Sequence, residues 1–365
     1  MLLLLALLVQ DAKADFAAAD ARFSRHTWEA RLDLGDWCKS HSLPEEAAAH
    51  FRFVRDRIAG THPYKTRADK ALSGTWKDKA STADEKTRAE HDKKCADYIR
   101  KAADLCFECY RIAKKGKLND FIAPMLAKTL ECDIDHPEAR KERGEVKDET
   151  FGWVPEKTPW KVTASSKHFA IMTDGDNADA ILQRLEKVHD TFYELFGERF
   201  APLAKPMAVI NLRDAKAFDD IRKSVPGAAA GANAAFYSHL THIAYSSGSG
   251  ALSHEVVHGL ADLGGGAMKS MLFMSGRRAD APRDYWVIEG LACYVDALAS
   301  GSKAPALSAE VKLDEFTKMT FTEFERDPIR NYAIAHAHFG AQAEGDKKKE
   351  FLDFVRGFYA GKIKR

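Results

Sequence analysis

The residues best suited to chemistry lie in one stretch, residues 248–296, which contains His254-Glu255-Val256-Val257-His258. On a helix, positions i and i+4 share a face, so His254 and His258 can present two imidazoles to one metal ion. Glu255 falls on the adjoining face, where a carboxylate can act as general base toward water on that metal. Ala251, Leu252, Val256, Val257, Leu260 and Ala261 are apolar and describe a buried helix. Gly264-Gly265-Gly266 should end it. The competing reading is a core helix whose two histidines are satisfied by hydrogen bonds. Catalytic zinc takes three protein ligands and keeps one position open. Glu289 is the one carboxylate in the apolar run Trp286–Ala292. Buried without a partner it would be costly, and a metal ion offsets that cost, so it is the candidate third ligand. The alternative is a solvent-facing Glu at a helix start, where the helix dipole favours negative charge.

The spacing HEVVH, roughly thirty residues, then WVIEGLACY resembles the gluzincin zinc metallopeptidases, and within them the peptidase-MA-like family. The resemblance covers about Thr158 to Gly361, and its specific part is the two helices. It implies Zn²⁺ held by His254, His258 and Glu289, and peptide-bond hydrolysis by a zinc-activated water with Glu255 as general base. It also implies an edge strand at about Ala234 to Tyr245 that pairs with an extended peptide. An ordinary hairpin closing the sheet is the alternative there. A tyrosine or histidine on a downstream helix would stabilise the oxyanion. Tyr332 is the first candidate and His336, four residues on, the second. Both as core residues is the other reading. The chain departs from the family at Cys293, four positions after Glu289, where an acidic residue often orients a ligand histidine. Asp262 and Asp296 are the expected substitutes.

The elements that must position these residues follow from the rest of the chain. A length of 365 residues suits two to three domains, and 45% hydrophobic with 30% charged residues describes an ordinary globular protein. A net charge of +1 offers no electrostatic basis for nucleic acid or an anionic membrane as partner. Leu2–Val9 is too short to span a bilayer and fits the apolar part of a signal peptide. Ala12-Lys13-Ala14 is a cleavage pattern, so residues 1–14 are expected to be a leader on an exported, periplasmic or extracellular protein. A first core helix is the alternative. Six cysteines are too sparse for a disulfide framework. The lone Cys106-Phe107-Glu108-Cys109 sits in a helical pattern and reads as core.

Residues 15–150 show helical patterns almost throughout. Ala17–Lys39 and Ala47–Ile58 form one helix pair, closed by His62-Pro63. Leu105–Lys114 and Phe121–Cys132 form another, closed by His136-Pro137. The two resemble degenerate tetratricopeptide-like hairpins, which serve packing or a protein partner. Between them Ser73–Lys94 is polar, either an exposed helix or a connector. Glu149–Trp160 reads as a domain boundary. From residue 158 to 365 the expected order is a strand at Lys167–Thr173, a helix at Ala178–Phe196, a strand at Met207–Leu212, a helix at Ala215–Val225 and a strand region at Gly231–Ser246. The metal helices and further helices at Leu313–Phe324, Ile329–Gln342 and Phe351–Tyr359 follow. His239 and His242, three apart in a strand, would point to opposite faces and make poor joint ligands.

The expected fold is therefore α+β: an all-helical N-terminal domain of helical hairpins, then a gluzincin-like metallopeptidase domain with a small mixed sheet and an active-site helix. The expected function is that of a secreted zinc metallopeptidase acting on a peptide or protein. The alternatives are a catalytically inactive zinc- or peptide-binding module, and a helical scaffold that recruits a partner.

Overall fold

The structure, a computed structural model, describes residues 2–78, 81–156, 161–225, 234–248, 250–265, 285–319 and 321–359. Residues 157–160 of the expected boundary, residues 231–233 of the expected third strand region, and Gly266 lie outside them. The fold is α+β, and the chain divides into two compact units, Met1–Glu145 and Val146–Arg365. Among the described residues no helix is long and apolar enough to cross a membrane.

The first unit is helical: α1 (Leu2–Ser40), α2 (Pro44–Arg57), α3 (Pro63–Leu72), α4 (Glu85–Lys115), α5 (Asn119–Cys132) and α6 (Pro137–Glu142). The segment read as a leader continues without a break into α1. Both hairpins use one turn. Ser42 (φ 60°) and Lys117 (φ 52°) adopt the left-handed conformation that ends a helix. Leu43 N–H then donates back to the Cys38 carbonyl, and Leu118 N–H to that of Ala113, both at 2.9 Å. Each following leucine is buried. The two His-Pro pairs are helix starts: proline supplies the first turn, and the imidazoles of His62 and His136 accept backbone N–H bonds at 3.3 and 3.2 Å. The second half of the polar segment, from Glu85, is the opening of α4, capped by Asp84. Cys106 and Cys109 are fully buried, and burial pushes both thiols up to about 12, the state of inert core residues.

The second unit begins earlier than the sequence suggests. Its first elements are β1 (Glu145–Asp148), just before the segment read as a boundary, and β2 (Gly152–Pro155), within it, which pair as a two-stranded sheet. Phe151 and Val154 belong to a hydrophobic core there, which is why Glu149–Pro155 is no linker. The main sheet holds β3 (Lys161–Ser165), β4 (Phe169–Thr173), β5 (Met207–Asn211), β6 (Ala235–Ser238) and β7 (Ile243–Ser246) in the order β3-β4-β5-β7-β6. β4, β5 and β7 run parallel, while β3 and β6 are antiparallel edges. The central strands are buried on both faces, as parallel strands usually are. Phe169, Ile171, Met207 and Val209 enter one core with α7 (Ala178–Phe196) and the helices that carry His254 and Glu289. Ala170, Met172, Ala208 and Ile210 enter the other with Phe218 and Ile221 of α8 (Ala215–Ser224). The expected single strand region is a hairpin, β6 and β7, so His239 and His242 lie in its turn and not in a strand. His242 has φ 57°.

From β7 a short link leads into α9 (Leu252–Gly265), which carries the HEVVH motif. Gly264 and Gly265 are the last described residues of α9. A Cβ on Gly265 would stand 2.7 Å from the Tyr359 Cβ, so glycine there permits close packing. α10 (Tyr285–Ala299) carries Glu289. The short helices α11 (Leu313–Phe316) and α12 (Phe321–Phe324) precede α13 (Pro328–Glu344), with Tyr332 and His336, and α14 (Lys348–Tyr359) ends the described chain.

α10 and α13 meet at Gly290. A Cβ there would stand 2.7 Å from the Ala335 carbonyl oxygen and 2.9 Å from the Phe339 Cβ. Backbone cannot swing aside as a flexible side-chain tip can. Gly290→Ala is therefore expected to cost about 1–3 kcal/mol by overpacking. It would also push the Tyr332 helix away from Glu289. Thermal unfolding measures the first effect, and a wild-type melting temperature would refute the close-packing argument.

Candidate metal centre

α9 and α10 bring the three expected ligands together. His254 Nε2 is 3.0 Å from Glu289 Oε2 and 3.1 Å from His258 Nε2. His258 Nε2 is 3.5 Å from Glu289 Oε2. Glu289 is only 4% exposed, which rules out the solvent-facing alternative. The burial has a local cause. Glu289 sits within an apolar helix, between Ile288 and Leu291 of the core.

The donor set fits a metal. A triangle with these edges leaves a point about 2.0–2.1 Å from all three atoms, slightly to one side of their plane, as a tetrahedral ion with an open fourth position requires. Protons satisfy the same atoms poorly, because His254 Nε2 faces both Glu289 and His258 and holds one proton or one lone pair. The electrostatics match a cation site. Burial pushes the Glu289 carboxyl up, but His258 and His254 overcome it and hold the group well below its ordinary range. Burial disfavours the His254 imidazolium, yet Cys293 and Glu289 raise its pKa overall.

Cys293 is the partner of the outer His254 nitrogen, its Sγ 3.7 Å from Nδ1. The expected substitutes are engaged elsewhere. Asp262 accepts a hydrogen bond from Tyr237 of β6 at 2.8 Å and lies 3.3 Å from His242 Nδ1. Asp296 faces Arg184 at 3.4 Å. The reason is what each carboxylate packs against. Asp262 lies one turn beyond His258 on the side that packs against β6, and its carboxylate ties the edge strand to α9.

Glu255 is half-buried in the first turn of α9. Its charge reaches Tyr332, whose phenol is pushed far up by burial and by Glu289, Glu325, Glu255 and Cys293 around it. The Tyr332 ring stands 5.9 Å from the His254 ring. Tyr332 is thus a neutral O–H donor beside the expected ligands. His336, one turn on, has a buried Nε2 without a hydrogen-bond partner. Burial lowers its pKa, Asp296 opposing and His254 assisting. Sequence reasoning missed Tyr285, which hydrogen-bonds Glu289 and whose own pKa burial raises. Its position four residues before Glu289 on the same helix face was the available signal.

Comparison with protein-family models found no match, and comparison with curated proteins found none.

Proposed function

We propose that the second unit is a gluzincin-like zinc metallopeptidase, acting on a peptide or protein substrate in an exported protein, with the helical unit as a surface for a protein partner. The observation that carries the reading is the convergence of His254, His258 and Glu289 within hydrogen-bond range of one another. When bound, zinc supplies a Lewis acid that polarises a carbonyl and lowers the pKa of water. The protein's own groups do the rest. His254, His258 and Glu289 hold the ion, and Tyr285 orients the Glu289 carboxylate through its hydrogen bond. Cys293 accepts from His254 Nδ1–H, which leaves the Nε2 lone pair for the metal. Glu255 takes a proton from the attacking water and passes it to the leaving amine nitrogen. Tyr332, kept protonated by its surroundings, donates its O–H to the oxyanion as it forms. The antiparallel edge strand β6, pinned to α9 through Tyr237 and Asp262, has an edge that pairs with no other strand among the described residues and offers it to an extended peptide.

The test is zinc-loaded chain against a broad peptide library read by mass spectrometry. Cleavage is expected, with Tyr332→Phe slower by about 10²–10³-fold in kcat, the usual effect of removing one oxyanion donor. A loaded chain that cleaves no peptide would overturn the proposal.

A further inference from the structure

A second group of metal-ligating side chains converges inside the helical unit. Cys38 lies on α1, His50 on α2, and His91 and Cys95 one turn apart on α4. All are buried: Cys38 and His50 at 0% exposure, Cys95 at 7% and His91 at 9%. One donor atom each of Cys38, His50 and His91 falls within 4.8 Å of the other two. His50 Nε2 and Cys95 Sγ each stand 3.4 Å from His91 Nε2. We propose that Cys38, His50, His91 and Cys95 form a structural site for a thiophilic divalent cation, zinc by preference, that clamps α1, α2 and α4 together.

The two distances that meet at His91 Nε2, 3.4 Å each, suit that ion. Zinc bonds of about 2.0–2.1 Å to nitrogen and about 2.3 Å to sulfur place tetrahedral neighbours about 3.3–3.8 Å apart. The donor chemistry selects against magnesium and calcium, which take oxygen ligands. The orientation of His91 gives a second argument. Its Nδ1 lies 3.1 Å from the exposed Asp92 carboxylate, so Nδ1 carries the proton and the Nε2 lone pair points into the cluster. This carboxylate–histidine–metal arrangement is common at zinc sites. In a purely protonic network, His50 N–H and the Cys95 thiol would compete for that one lone pair. A cation instead accepts a lone pair from each of the four groups.

Arg31 is the contact that must yield. Its Nη1 is 3.2 Å from His50 Nδ1 and donates to it when His50 Nε2 carries the proton. With Nε2 on a metal, Nδ1 holds the proton and this bond opens. Arg31 keeps its stacking on the Phe53 ring, 4.1 Å from the centroid. The two thiolates, which a coordinated cation keeps deprotonated, neutralise that cation, so the loaded site adds no net charge beside Arg31. The assignment is independent of the His254–His258–Glu289 reading.

Cobalt(II) separates the two centres. Sulfur ligation produces thiolate-to-cobalt charge-transfer absorption in the near ultraviolet, and a His-His-Glu ligand set does not. Full-length chain, stripped with a chelator and kept reduced, is titrated with cobalt(II). The band is expected to saturate by two added equivalents, one for each centre, with the amplitude of one thiolate-ligated cobalt per chain, to persist in His258→Ala and Cys293→Ser, and to vanish in the double variant Cys38→Ser/Cys95→Ser. Circular dichroism checks that the double variant folds. If it does not, His50→Gln serves instead, and the band is expected to shift. The proposal is overturned by wild-type chain that shows no thiolate band, by a band that Cys293→Ser removes, or by a band unchanged in the substituted cluster.

Discussion

Replacing Glu255 with glutamine is expected to lower kcat/KM for peptide hydrolysis by about 10²–10⁴-fold, the range of a lost general base, while the chain keeps its zinc. Glutamine matches glutamate in size and removes only the capacity to take a proton. Glu255 is not among the converging donors, and its neighbours His254 and His258 stay on the same turns of α9. The change also removes one of the charges that raise the Tyr332 phenol. That phenol remains protonated, because burial and Glu289 act on it too. The oxyanion donor is therefore intact, and the loss isolates the proton transfer. Steady-state kinetics with metal analysis on the same preparation measures both quantities. Activity within tenfold of wild type would remove Glu255 from the mechanism.

The same substitution at Glu289 should have the opposite signature. Glu289→Gln is expected to lower zinc affinity by at least about 10²-fold, beyond the 10–100-fold typical of changing a ligand's outer hydrogen-bond partner. Hydrolysis should vanish with the metal. An amide offers a neutral oxygen where the converging described donors include one carboxylate, 3.0 and 3.5 Å from two imidazoles. It also withdraws the negative charge that offsets His254 in a buried setting. Zinc content should fall by one equivalent per chain, measured by mass spectrometry after dialysis. Glu255→Gln retaining zinc and Glu289→Gln losing it together would distinguish a base from a ligand. Equal zinc content in the two variants would sink the ligand assignment.

Much of the second unit was legible before any coordinates. The Ala178–Phe196 helix has the boundaries read from its apolar spacing, because helical periodicity over nineteen residues is a strong local signal. The strands β4 and β5 were found as apolar runs. β1, β2 and β3 were missed, since four or five residues with Gly, Pro and polar neighbours carry little periodicity. In the helical unit the two turns were placed correctly, but not the shared left-handed residues Ser42 and Lys117, neither of which is glycine.

By itself the sequence determined what lies along a single helix: two imidazoles four apart, a carboxylate in an apolar run, and tyrosine with histidine on one face of α13. These are consequences of a 3.6-residue period and need no partner. Tertiary structure alone decided that Cys293 rather than Asp262 or Asp296 meets His254, and that Asp262 holds the edge strand. It also gathered Cys38, His50, His91 and Cys95 from three helices. Such meetings depend on how helices pack against one another, and side-chain spacing within one helix carries no record of what the neighbouring helix brings.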